Sequence, residues 1–224
     1  MERAFLFDVF GTCVDWRNSV ARDVHAVLPE IDALAFADAW RGEYQPAMSR
    51  IRKGGRGYVP LDDLHLENLG RVLACFGVDV DDPAQLNRAW ERLDPWPDVV
   101  PGLTALRATG LVATCSNGSI GLMARLARWG AMPWDAILGA DIAQDYKPKP
   151  EVYLRSVAAL GLAPKQVTMV AAHNDDLRAA AAVGMQTAFV ARPTEYGPDQ
   201  ASDLAPAGDW DFVARDFLHL AELV

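Results

Sequence analysis

The chain has 224 residues, 51% of them apolar, which suffices for one large domain or for a domain carrying an insertion. Its formal net charge of -9 and isoelectric point near 4.9, with no Lys/Arg run to offset them, exclude nucleic acid and membrane surfaces as expected partners. A small anionic substrate is still admitted, because a few placed Arg and Lys side chains reverse the potential inside a cleft.

In chain order, the opening MERAFLFD carries neither the basic stretch nor the apolar run of a secretory leader, and no segment approaches the ~20 apolar residues that cross a bilayer. The expected location is the cytoplasm. Residues 4–7 form a short apolar run that stops at Asp8, with Gly11 and Thr12 following, and this predicts a buried strand running into a turn with Asp8 at its carboxyl end. Apolar residues at helical spacing predict helices over 19–26 and 33–52, before the Gly54-Gly55-Arg56-Gly57 interruption, and again over 61–75 and 84–93. Trp16, Trp40 and Trp90 in this region are expected in a core rather than at an interface.

Pro95-Trp96-Pro97 ends the helical regime. Short apolar runs at 111–115, 167–171 and 187–190 then alternate with helical segments that include 119–129 and 151–160, the pattern of a parallel sheet with crossover helices. The predicted architecture is an α/β fold: a doubly wound parallel-sheet core from residues 1–14 and 94–224, with a helical cap, 15–93, inserted after the first strand. Residues 193–208 are rich in turn formers and read as a surface loop. Cys13, Cys75 and Cys115 show no CxxC spacing, so buried free thiols are expected, and Cys115, without an adjacent His, reads as a packing residue.

Ligands of open parallel sheets collect beyond the carboxyl ends of the strands. The polar clusters that follow apolar runs are Asp8, Ser116-Asn117 and His173 to Asp176, with Lys147 in a loop between the last two. In order and spacing, FDVFGTCVD (7–15), CSNGS (115–119), YKPKPEVY (146–153) and VAAHNDD (170–176) resemble the four motifs of the haloacid dehalogenase superfamily. Within it they are most similar to the L-2-haloacid dehalogenase, or type II, branch. The resemblance implies a Rossmann-like core, a homodimer, and hydrolysis of short (S)-2-haloalkanoic acids to (R)-2-hydroxy acids through an ester on Asp8, with no metal or cofactor.

An Asp after a strand is commonly a turn cap, and only the ordered motifs make Asp8 a nucleophile. Superfamily phosphatases carry a second Asp two residues on, a general acid for the leaving alcohol; here it is Phe10. A halide departs as a stable anion and needs no proton, so Phe10 favours dehalogenation. On the bare sequence Arg41 reads as a solvated helix arginine; the resemblance aligns it with the arginine that holds the departing halide in the type II branch, which makes the two readings even. Ser116 and Asn117 offer hydrogen bonds to substrate carboxylate or halide, Thr12 to the Asp8 carboxylate, and Ser119 a helix cap. Lys147, beside Pro148, is expected to keep Asp8 ionised, with Asp176 orienting Lys147 or the hydrolytic water.

Tyr153 falls where the branch places a tyrosine near the site, and reads equally as a core residue. His173 stands where the branch has Asn, and is either a general base for ester hydrolysis or an ordinary loop histidine. Asn174 is taken with the substrate and halide contacts, and Asp175 replaces an aromatic of the branch. Two alternatives stay open: a phosphatase of a small metabolite using Mg2+ on Asp8 with Asp175 or Asp176, and a noncatalytic binding protein of the same fold.

Overall fold

The computed structural model describes residues 2–224. The first strand, β1 (Ala4–Phe7), is followed by a two-residue strand β2 (Val14–Asp15) and five helices: α1 (Trp16–Val27), α2 (Ala33–Gly42), α3 (Tyr44–Arg52), α4 (Leu61–Phe76) and α5 (Pro83–Asn87). A 3-10 turn (Arg88–Glu91) leads to β3 (Asp94–Pro95). Alternation follows: α6 (Val99–Arg107), β4 (Leu111–Thr114), α7 (Ile120–Trp129), α8 (Ala140–Ala143), α9 (Pro150–Ala159), β5 (Val167–Ala171), α10 (Asn174–Ala182), β6 (Gln186–Val190), β7 (Phe212–Ala214) and α11 (Phe217–Leu223).

Five strands form one parallel sheet in the order β4-β1-β5-β6-β7. Every residue of β1 and β5 is buried, since helices cover both faces, and side chains alternate between them. Phe5 and Phe7 join one apolar cluster; Ala4 and Leu6 join the other with Ala113, Met169 and Phe189. Leu6→Ala is therefore expected to cost about 2–5 kcal/mol in a denaturant melt.

The helical region differs from the expected elements in three places. The single helix over 33–52 is two, because Pro46 lacks the N–H that would bond to the Gly42 carbonyl; α2 stops there and α3 starts at Tyr44. The helix over 84–93 is the short α5 followed by the 3-10 turn. No strand was expected within 15–93, yet β2 pairs antiparallel with β3, Val14 opposite Pro95 and Asp15 opposite Asp94. The helices α1 to α5 thus leave and rejoin the sheet-bearing part of the chain side by side. Trp16, Trp40 and Trp90 are buried, as expected, with Trp16 stacked on Trp90 at 6.4 Å and 22°. Cys13 and Cys115 are buried, but Cys75 is exposed near the end of α4.

Candidate active site

β1 lies between β4 and β5, so the loops leaving these three strands converge at one edge of the sheet. The Asp8 N–H donates to the Val170 carbonyl at 3.0 Å, continuing the ladder one residue past β1 and aiming the side chain out of the strand end. Its Oδ2 accepts from Thr12 Oγ1 at 2.7 Å, and Thr12 Oγ1 in turn accepts the Ala172 N–H at 2.9 Å. Lys147 Nζ donates to Asp8 Oδ1 at 2.8 Å and to Asp176 Oδ2 at 2.5 Å. Tyr153 Oη donates to Asp176 Oδ1 at 2.5 Å, which makes the tyrosine a site contact as well as a buried residue. Asn117 joins three segments: its Oδ1 accepts the Lys147 N–H at 2.9 Å, and its Nδ2 donates to Tyr44 Oη of α3 at 3.2 Å.

His173 sits between two carboxylates, with Nδ1 at 3.0 Å from Asp8 Oδ2 and Nε2 at 2.8 Å from Glu195 Oε2. Glu195 comes from the 193–208 segment, which does not lie wholly on the surface: Glu195 is 1% exposed, and Trp16 Nε1 donates to its Oε1 at 3.1 Å. The preceding Arg192, also buried, donates from Nε to the Thr12 carbonyl and grips Asp98 with both Nη atoms at 2.8 Å. Neither residue stands out in the sequence: Glu195 reads as part of the turn-rich 193–208 loop, and Arg192 lies just before it.

Asp8, Phe10, Tyr44, Lys147, His173 and Tyr196 are among the residues around a cavity of about 400 Å³. Arg41 enters it from α2, its Cζ 4.0 Å from the Tyr44 ring centroid and 5.9 Å from that of Phe10. Arg41 Nη1 is buried and has no hydrogen-bond partner, so Arg41 is not the solvated helix arginine. Such a donor is costly unless something fills it. Phe10 is an apolar wall, with His65 of α4 packed at 6.2 Å from it and stacked on Trp90. Burial and the Arg41 charge push His65 well below the usual histidine range, so its ring is neutral.

Two expected site residues are not brought in. Asn174 turns away from Asp8: its Nδ2 donates to Asp203 and the Ala205 carbonyl, while its Oδ1 accepts from the Ala207 N–H and Trp210 Nε1. Every polar position of the amide is spent on holding the 203–210 segment. Ser116 is fully buried, and its Oγ accepts the Gly118 N–H at 3.0 Å, closing the loop rather than lining the cavity. Ser119 caps α7 as expected.

Burial alone would raise the Asp8 carboxyl, but the Lys147 and His173 charges outweigh it and hold Asp8 well below the usual carboxylate range. Burial would likewise lower His173, yet the Glu195 and Asp8 carboxylates raise it well above its ordinary value. Asp176 is raised by burial and by Asp8, against the pull of Lys147. Cys115 is pushed up to about 12 by burial, which leaves it a packing thiol. Opposite pH limbs follow. Asp8 contributes stability above its unfolded value of ~3.9, lost as pH falls through its depressed folded value; His173 contributes below ~6.5, lost as pH rises through its elevated one. Thermal melts across pH are expected to fall off on the alkaline side, and His173→Asn to flatten that limb.

The donor set does not suit Mg2+. Asp8 already faces Lys147, Thr12 and His173, and Asp176 faces Lys147 and Tyr153, while the Asp175 side chain is 94% exposed and pairs with Arg178. Among the described residues, no three His, Cys, Asp or Glu side chains are grouped to hold a metal ion.

A carboxylate at a parallel-strand end, bridged by a buried lysine to a second acid and facing a cavity lined largely by polar residues that holds an unpartnered guanidinium nitrogen, is an arrangement suited to a hydrolase with a carboxylate nucleophile. Residues 2–184 match the haloacid dehalogenase-like hydrolases, and the chain belongs to that family. It is 31% identical over 205 residues to (S)-2-haloacid dehalogenase 1 of Pseudomonas sp. (strain CBS-3), covering 87% of this chain and 88% of that one. A solved defluorinating L-2-haloacid dehalogenase is 48% identical, with a TM-score of 0.97 over 99% of this chain and 94% of that one. The L-2-haloacid dehalogenase of Xanthobacter autotrophicus with chloropropionic acid covalently bound is 25% identical, with a TM-score of 0.85 over 100% of this chain and 98% of that one.

Proposed function

We propose that the protein hydrolyses short (S)-2-haloalkanoic acids to (R)-2-hydroxy acids and halide. The observation that carries this reading is the buried Asp8 sharing one small cavity with the unpartnered Nη1 of Arg41, with Phe10 where a phosphatase needs an acid. Asp8 attacks the halogen-bearing carbon from the face opposite the halogen; the new C–O bond forms as the C–X bond breaks, the carbon inverts, and the halide leaves with the electron pair toward Arg41. Lys147 keeps Asp8 ionised, and Asp176 and Tyr153 hold Lys147 in place. Water then attacks the carbonyl carbon of the Asp8 ester with His173 as base, so an Asp8 oxygen ends in the product.

The reaction needs no cofactor. Residues 15–93 act as the cap, supplying Arg41, Tyr44 and Gln45 to the cavity; the protein acts in the cytoplasm, as a homodimer. The relative described as defluorinating extends the expected substrates to carbon–fluorine bonds, where fluoride makes the greatest demand on a free donor such as Arg41 Nη1.

The deciding experiment is halide release from each enantiomer of 2-chloropropionate, with and without chelator, and fluoride release from fluoroacetate. Chelator-resistant release from the (S) form is expected; chelator-sensitive hydrolysis of a generic phosphate ester without halide release overturns the reading. Arg41→Gln is expected to lower kcat by about 10²–10³-fold, as for loss of one donor to a developing anion, with the larger deficit on chloride than on bromide or iodide substrates.

A further inference from the structure

The geometry points to Glu195 as a positioning residue for the hydrolytic half-reaction, fixing the ring and tautomer of His173 so that Nδ1 is left to take the proton of the attacking water. This rests on His173 being the base, and adds what makes it one.

A buried carboxylate is retained at a cost unless its oxygens are engaged, and those of Glu195 are: Oε2 by His173 Nε2 at 2.8 Å, Oε1 by Trp16 Nε1 at 3.1 Å. The chain makes room for it at the nucleophile's own turn. Gly11 has a φ of 87°, and a Cβ there would lie 2.0 Å from Glu195 Oε1, so no side chain fits beside the carboxylate. The groups facing His173 are Asp8 on Nδ1 and Glu195 on Nε2, with Tyr196 next to Glu195 in the chain, Lys147 and Asp176 beyond Asp8, and the Arg41 charge acting on both carboxylates. Among them, only Glu195 contacts Nε2.

In the resting site both ring nitrogens donate, and the imidazolium is held between two carboxylates. Alkylation of Asp8 replaces one of those charges with a neutral ester. The cation is then less favoured, and the Nδ1 proton leaves to solvent; this is the proton of the hydrogen halide that the overall reaction releases. Glu195 keeps the Nε2 proton in place, so the neutral ring has its bare lone pair on Nδ1, next to the ester. Water adds to Cγ of Asp8 while passing a proton to Nδ1. Collapse of the tetrahedral adduct breaks the ester C–O bond, and the departing alkoxide takes the proton left on the Asp8 carboxyl group. The carboxylate–imidazolium pair is restored, and haloacid plus water has given hydroxy acid, halide and one proton.

The test is Glu195→Gln, close to isosteric but uncharged and able to present its amide N–H to Nε2, which favours the wrong tautomer. A rapid release of about one halide per enzyme is expected, then turnover roughly 100-fold slower, the lower end of what a positioned base contributes, with the ester found on the Asp8 peptide by mass spectrometry. Glu195→Asp retains the charge and is expected to recover part of the rate. The burst itself reports an intact alkylating site. Ester hydrolysis at the parental rate in Glu195→Gln, equal rates for the Gln and Asp variants, or slowed halide release without a burst each overturn the assignment. His173→Asn separates the two readings: ester accumulating there but not in Glu195→Gln removes only the role of Glu195, whereas normal hydrolysis in His173→Asn removes the base itself.

Discussion

Asp8→Asn is expected to lower halide release by on the order of 10⁴-fold or more, the scale seen when a covalent nucleophile is removed. Asn has nearly the same shape, so it keeps an acceptor for Thr12 Oγ1, but the amide has no charge to deliver to the halogen-bearing carbon. The fold is expected to survive, because each cation of the site retains one carboxylate: Lys147 keeps Asp176 and His173 keeps Glu195. Loss of activity with an unchanged melt therefore separates chemistry from stability. Single turnover of the parent protein in heavy-oxygen water is the complementary measurement. Solvent label is expected in Asp8 rather than in the first equivalent of product; label in that first product instead means that water, not Asp8, attacks the substrate.

Lys147→Met is expected to be the most destabilising change in the site. Lys147 is 8% exposed and is the ammonium common to Asp8 and Asp176; without it two buried carboxylates face one another. Removing one partner of a buried ion pair typically costs about 3–5 kcal/mol, which denaturant unfolding at neutral pH detects as a shifted midpoint. The sign of the pH dependence identifies the cause. In the parent, Lys147 helps to depress Asp8, whose contribution is lost as pH falls. In the variant, repulsion raises the carboxyl values, so the missing stability is regained as pH falls and the pair takes up a proton. A deficit that does not depend on pH points to lost packing instead. Activity is expected to fall with it, since a protonated Asp8 is no nucleophile.

The parts of this site that the sequence displays are those set by local geometry. An apolar run that stops at an acid, followed by Gly11 and Thr12, announces a strand end, and three such ends plus Lys147 were enough to assemble the Asp8, Lys147 and Asp176 contacts. The helical spacing of 19–26, 33–52 and 61–75 is equally plain, apart from the division that Pro46 imposes through a bond four residues back. What stayed hidden depends on groups far apart in the chain. Glu195 sits among turn formers, and nothing nearby says that His173 and Trp16, 22 and 179 residues away, bury it. Asn174 misled for the same reason: beside His173 it looks like a site residue, but the returning 203–210 segment claims its amide. β2, β3 and β7 are two or three residues long, too short for alternation to register.

The pairing of Val14 with Pro95 and Asp15 with Asp94 bears on how this chain can vary. Because the two ends of the helical region are neighbours, the sheet sees it as a hairpin whose tip happens to be large. Closing a loop depends only logarithmically on its length, each doubling adding about 0.6 kcal/mol, so helices there can lengthen, shorten or be exchanged with little effect on the order of the parallel strands. The cavity walls that α2 and α3 supply are in this sense detachable from the Asp8 strand end: what lies beyond the two-strand ribbon can be rewritten while that strand end is left as it is.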